Sequence, residues 1–122
     1  MNALNWDIPA DVYGNFTEYA ERKGFTTETH ETTTEDGYIL VMFRITGIKG
    51  GQSNVGKPVA IMAHGLLASA DSFIDNDEDK APGFMMVRAG FDCWFFNARG
   101  NKYSKYNTKL SPNDEAFWEF TW

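Results

Sequence analysis

Two short apolar runs set most of the limits on what this chain can become. Residues 58–63 (Pro58, Val59, Ala60, Ile61, Met62, Ala63) and residues 91–96 (Phe91, Asp92, Cys93, Trp94, Phe95, Phe96) are too continuously apolar to show the alternation of a half-exposed strand. Runs of this kind suit strands covered on both faces of a parallel sheet. Between them, residues 82–89 form a short apolar helix candidate, with Pro82 at its start and Gly90 at its close. Strand, helix, strand is a βαβ unit, expected to be right-handed, and it makes the fold class α/β. The acidic stretch 75–80 stands just before the helix, where carboxylates are favoured by the helix dipole and would cap it.

The flanking segments add a helix, a hairpin and a second helix. Ile8, Val12, Phe16, Tyr19 and Ala20 fall at helical spacing, with Pro9 near the start and Arg22, Lys23 and Gly24 as a stop. This predicts a helix over residues 10–23, weakened by Gly14. Residues 25–33 are rich in threonine and 38–45 in β-branched and aromatic side chains, and the turn signal Glu35-Asp36-Gly37 between them predicts a β-hairpin. The glycine-dense stretch 47–56 is a surface loop; it lacks the Gly-Lys-Ser/Thr ending of a phosphate cradle. Ser111 as N-cap, Pro112 at the first helical position and Asp114 closing a capping box open a helix over residues 115–122. A sheet with only these strands leaves an apolar edge unpaired. The expectation is therefore one domain's opening part: a helix region over 1–23 and a core start over 24–122, cut off before its architecture is complete.

Composition removes several classes of function. Seventeen acidic against eleven basic residues give a formal charge of -6, the wrong sign for steering toward nucleic acid. One cysteine, Cys93, closes no intramolecular disulfide and is most simply a small buried hydrophobe, and two histidines, His30 and His64, assemble no zinc spacing. No metal and no cofactor is expected. Residues 1–10 show neither the basic nor the apolar region of a secretory signal, and no apolar run approaches the roughly 18 residues of a membrane span.

In an open α/β sheet the working residues collect beyond the carboxyl ends of the strands, which here means residues 64–69 and 97–101. His64-Gly65-Leu66-Leu67-Ala68-Ser69 directly follows its strand, and a His-Gly turn there bends sharply and points backbone N–H groups into the crevice. Taken with Glu35-Asp36-Gly37-Tyr38-Ile39-Leu40, with Asn97-Ala98-Arg99-Gly100-Asn101, and with Ser111-Pro112 followed by Phe117-Trp118-Glu119-Phe120, it resembles the acid lipase family of gastric and lysosomal acid lipases and sterol-ester hydrolases. The resemblance covers residues 24–122.

That resemblance implies a partial α/β-hydrolase fold and, in the full-length protein, a serine hydrolase of triacylglycerols or sterol esters in lysosomal or secreted lipid degradation. One oxyanion-hole N–H would come from Leu66, with Leu67 as the neighbouring alternative and His64, Gly65 and Arg99 in support. The family's Gly-x-Ser-x-Gly elbow has no counterpart at Ser53, Ser69, Ser72, Ser104 or Ser111, and neither His30 nor His64 occupies the place of the family's base. The chain alone is thus expected to lack a nucleophile and to be inactive, its partners being a lipid-ester substrate and the remainder of a lipase chain. The alternative is a non-catalytic interaction or lipid-binding module derived from a lipase.

Plainer expectations stand beside these. His64 is a turn histidine bonded to backbone; the Leu66 and Leu67 side chains pack in the core; Arg99 satisfies carbonyls where the second strand ends. Asp75, Asp77 and Asp79 alternate like calcium ligands, but Lys80 and Met86 stand where an EF-hand loop needs glycine and glutamate, so the run is a solvated capping loop. Asn15-Phe16-Thr17 matches a glycosylation sequon, a triplet common by chance. The aromatic residues of 117–122 pack as a helix against the rest of the enzyme instead of forming a lipid-binding patch.

Overall fold

The computed structural model describes residues 14–121. Ile8, Pro9 and Val12 of the predicted first helix, and Trp122 of the last, lie outside them. Among the described residues, helix α1 is Phe16–Arg22, not the longer helix predicted over 10–23. The reason is local: Asn15 accepts the Glu18 N–H (3.0 Å) while Glu18 accepts the Asn15 N–H (3.3 Å), a capping box that starts the helix at Phe16. Asn15 of the sequon is thus the N-cap. A helix this short is marginal by itself. It is held because Phe16 and Ala20 are fully buried, the Phe16 ring lying 4.6 Å from that of Phe43 and 4.9 Å from that of Phe95.

The predicted hairpin is present as antiparallel strands β1 (Phe25–Thr33) and β2 (Tyr38–Ile48), in register from Phe25↔Ile48 to Thr33↔Ile39 with a bulge between Thr26 and Thr27. Its turn needs glycine: Gly37 has φ +90°, and a Cβ there would meet Thr108 Oγ1 at 2.6 Å. Strand β3 (Val59–Met62), a 3₁₀ turn (Ala70–Phe73), helix α2 (Pro82–Arg88) and strand β4 (Asp92–Phe95) follow, and β3 and β4 are parallel, as the βαβ reading requires. The sheet order is β1-β2-β4-β3, with a short strand β5 (Tyr106–Asn107) also pairing with β2. The fold is α/β.

Three expectations are corrected. Strand β3 is not covered on both faces; it is the edge of this sheet, with Val59 59% and Ile61 67% exposed and only Ala60 and Met62 turned toward the core. The acidic run does not cap α2, whose N-cap is Ala81 with no side-chain bond; Asp77 pairs instead with Lys80 at 2.8 Å, and Glu78 with Lys23 at 3.7 Å. The helix predicted over 115–122 is only a 3₁₀ turn, Glu115–Trp118, although half the expected capping box exists in the Ser111 N–H donating to Asp114 (2.9 Å).

The core lies between one face of the sheet and the helices. Phe25 stacks on Phe84 of α2 at 4.4 Å, and Phe16, Phe43, Ile45, Ile74, Val87, Cys93 and Phe95 complete it. Burial pushes the Cys93 thiol up to about 11, as expected of an inert core cysteine. On the other face, Asp92 of β4 is held by Arg44 of β2 through two hydrogen bonds of 2.8 and 2.6 Å, and Arg44 also reaches Glu28 of β1 at 3.1 Å. These bonds hold the Asp92 carboxyl below the usual carboxylate range.

Two outcomes follow from this packing. Gly83 admits α2 so close to the sheet that a Cβ would meet Phe73 O and a Phe95 ring carbon, each at 2.8 Å. Gly83→Ala should therefore destabilise by about 1 to 2 kcal/mol despite alanine's better helix propensity, read as a lower Tm. Because the Asp92 pKa is depressed in the folded state, its stabilisation is present above the unfolded value of about 4 and is lost as pH falls through the lower folded value. The Tm gap between the wild type and Asp92→Asn should be widest near neutral pH and close under acid conditions.

Candidate functional site

Strands β3 and β4 run parallel and so deliver their following loops to the same end of the sheet. The β3 loop begins with His64 and Gly65. It bends in a turn closed by the Ala68 N–H on the Gly65 carbonyl (3.2 Å), and Leu67 adopts φ +60°, the one non-glycine positive φ among the described residues. Backbone held in this region costs energy and is characteristic of functional turns. Leu66 and Leu67 are 91% and 99% exposed, so the expectation that their side chains pack in the core is corrected. Their N–H groups donate to no acceptor among the described residues. The bend is open, not sealed inside the protein.

Both ends of this loop are fastened to the β4 loop. At one end, His64 Nε2 accepts from the Ala98 N–H (3.0 Å) and from Asn101 Nδ2 (3.1 Å), while Nδ1 sits 2.8 Å from the Gly65 carbonyl. The Nε2 atom faces only donors, so the proton belongs on Nδ1, which donates to Gly65. The ring lies nearly parallel to Phe96, centroids 6.0 Å apart. With both nitrogens engaged, His64 shapes the turn and is not placed as a free base. At the other end, the Ala70 N–H donates to Asn97 Oδ1 (3.0 Å), and Ser69 caps the 3₁₀ turn by accepting the Asp71 N–H (3.3 Å).

Asn97, which the sequence marks only as part of the segment 97–101, has a role that sequence reasoning does not assign. It is fully buried, donates from Nδ2 to the Val41 carbonyl (3.1 Å) and accepts from Asn101 as well as Ala70. Ser104, also fully buried, donates to the Asn97 carbonyl (3.0 Å) and accepts the Val41 N–H (2.9 Å), which commits it to the framework and not to nucleophilic attack. Tyr103 donates to Asp71 (2.7 Å) and accepts the Phe16 N–H (2.8 Å); burial, then the Asp71 bond, push its hydroxyl well above the usual phenol range. The available signal was the polarity of Asn97, Asn101 and Ser104 beside an apolar strand. Such side chains need partners when buried.

Arg99 is not where the sequence reading put it. Its guanidinium pairs with Asp36 of the hairpin turn at 2.9 Å and lies over the Tyr38 and Phe120 rings at 5.1 and 5.2 Å, instead of satisfying strand-end carbonyls. It supports the hairpin turn and the aromatic segment rather than the His64 bend. Among the described residues no group of His, Cys, Asp or Glu could hold a metal ion, and no helix is long and apolar enough to cross a membrane.

Comparison with known proteins places this geometry. A family model described as a partial alpha/beta-hydrolase lipase region matches residues 16–77, a span that includes the hairpin, β3 and the His64 bend. The chain belongs to this lipase family. Gastric triacylglycerol lipase of Mus musculus is 43% identical over 99 residues, covering 80% of this chain and 25% of that protein. Gastric triacylglycerol lipase of Homo sapiens is 38% identical over 112 residues, 91% of this chain and 28% of the relative. Lipase member M of Mus musculus is 38% identical over 116 residues, 92% and 27%. The lipase-family chain thus spans about a quarter of the length of these relatives.

Removing the buried amide tests the framework. Asn97→Ala strands the Val41 carbonyl and the Ala70 N–H without partners and should cost about 3 kcal/mol. Asn113→Ala, at an exposed turn, should change the denaturation midpoint by less than about 0.5 kcal/mol equivalent.

Proposed function

We propose that this chain supplies the oxyanion-hole loop of a lipid-ester hydrolase, with the Leu66 N–H as donor and Leu67 as its neighbouring alternative. The observation that carries the reading is the exposed turn after β3, in which both amides lack an acceptor among the described residues while the loop ends are pinned. A tetrahedral intermediate's negative oxygen needs donors already in place before reaction, and a fastened loop with unspent N–H groups meets that need. The side chains beside them support a lipid-ester substrate. Leu66 and Leu67 project almost wholly into solvent and offer an apolar contact for an acyl chain. Relatives named for triacylglycerol point the same way, and the family resemblance carries with it a lysosomal or secreted setting.

Nucleophile, acid and base come from a further segment in this reading, since no serine of the chain stands in an elbow, Ser69 and Ser111 cap turns, and Ser104 is committed to Val41 and Asn97. In a lipase carrying these residues together with its triad, Leu66→Pro should lower kcat by about 100- to 1,000-fold, the cost of one oxyanion donor. The chain by itself should hydrolyse a p-nitrophenyl ester no faster than its Leu66→Pro variant. A lipase whose kcat survives loss of the Leu66 N–H, and likewise of the Leu67 N–H, contradicts the assignment.

A further inference from the structure

We propose that Asn101 is a positioning residue of this site: its side-chain amide locks His64 in the Nδ1–H tautomer and so fixes the turn that carries the Leu66 and Leu67 amides. The orientation of Asn101 is set independently of His64. Its Oδ1 accepts from the Tyr103 and Ser104 N–H groups, both at 3.0 Å, so the amide cannot be flipped without setting donor against donor. That leaves Nδ2 to face Asn97 Oδ1 at 3.0 Å and His64 Nε2 at 3.1 Å. Nε2 also receives the Ala98 N–H at 3.0 Å, and a ring nitrogen met by donors from two directions must stay bare. The one proton of the neutral ring is thereby forced onto Nδ1, 2.8 Å from the Gly65 carbonyl, and that carbonyl is the same atom that closes the turn by accepting the Ala68 N–H.

A hydrogen-bond relay thus runs from Asn101 through the imidazole to the backbone of the bend. Among the described residues, the groups that hydrogen-bond or stack with the His64 ring are Gly65, Phe96, Ala98 and Asn101, none of them titratable. The neighbouring cations are engaged elsewhere, Arg99 with Asp36 and Lys102 with Asp71. The tautomer is accordingly set by Asn101 and Ala98 and not by a charge.

The catalytic consequence rests on the oxyanion reading; the lock itself does not. Nitrogen-15 spectra of the His64 ring in the chain at neutral pH test the lock. The wild type should show a protonated Nδ1 and a bare Nε2, and a protonated Nε2 overturns the proposal before any variant is made. Asn101→Asp keeps the acceptor for Tyr103 and Ser104 but puts an oxygen where Nδ2 stood, facing both His64 Nε2 and Asn97 Oδ1. Nε2 should then carry a proton toward that carboxylate, with or without loss of the one on Nδ1, displacing the Ala98 N–H, whose exchange should quicken about tenfold, as expected for one lost hydrogen bond. A folded Asn101→Asp in which Nε2 stays bare at neutral pH overturns the lock. In a lipase carrying this segment, the same substitution should lower kcat up to about a hundredfold with KM little changed. A newly protonated Nε2 with kcat intact refutes the positioning role while leaving Leu66 as donor, whereas an indifferent Leu66→Pro refutes the donor assignment and not the lock.

Discussion

The arrangement of this chain depends on one buried amide. Continuing the antiparallel register Phe43↔Phe95 by two residues brings Asn97 opposite Val41, at the gap where β4 has ended and β5 has not begun. On that side no strand among the described residues pairs with Val41, whose register partner on the other side is Glu31. The Asn97 side chain takes the Val41 carbonyl and the Ser104 hydroxyl takes its N–H, so side chains complete the rung that the ladder lacks. Burying either backbone group unpaired would cost more than the bond itself contributes. With its remaining oxygen Asn97 then holds Ala70, and through Asn101 it reaches His64. The central strand, the crossover connection and the exposed turn are thereby referred to one fully buried side chain.

This explains how a strained turn stays in place on a chain of modest size. Leu67 sits at φ +60° with its side chain in solvent, so nothing about its own packing justifies the conformation. The fastening lies on both sides of it, in His64 and in Ala70, and both fasteners lead to the loop after β4. Positioning by flanking bonds leaves the amides in the middle of the bend without an acceptor among the described residues, as the proposed oxyanion role requires.

What was legible in the amino acids was whatever short-range periodicity and turn chemistry encode. The Thr-rich and β-branched stretches around Glu35-Asp36-Gly37 paired as a hairpin, and Pro82 and Gly90 bracketed a helix that the structure ends at Arg88. The lipase resemblance drawn from four motifs agrees with the family match. Features decided by distant partners were not legible. Apolar content cannot distinguish a central strand from an edge strand, so the sequence suggests cover on both faces at Val59 and Ile61, which the structure leaves 59% and 67% exposed. Charge alone suggested that the acidic run would cap α2, but salt bridges to Lys80 and Lys23 claimed Asp77 and Glu78. Asn15-x-x-Glu18 is a local capping-box pattern, readable in principle from the sequence. Asn97, Asn101 and Arg99 have partners 56, 37 and 63 residues away, separations over which no local pattern operates.

Cys93 makes the interior observable. It is the single sulfhydryl of the chain, completely enclosed between the sheet and the helices and reluctant to ionise. Thiol reagents act on the thiolate, so the native state is chemically silent toward them until β4 parts from its neighbours. The rate at which an alkylating or disulfide-exchanging probe captures this sulfur is therefore a clock for the opening of the strand whose following loop holds the site together.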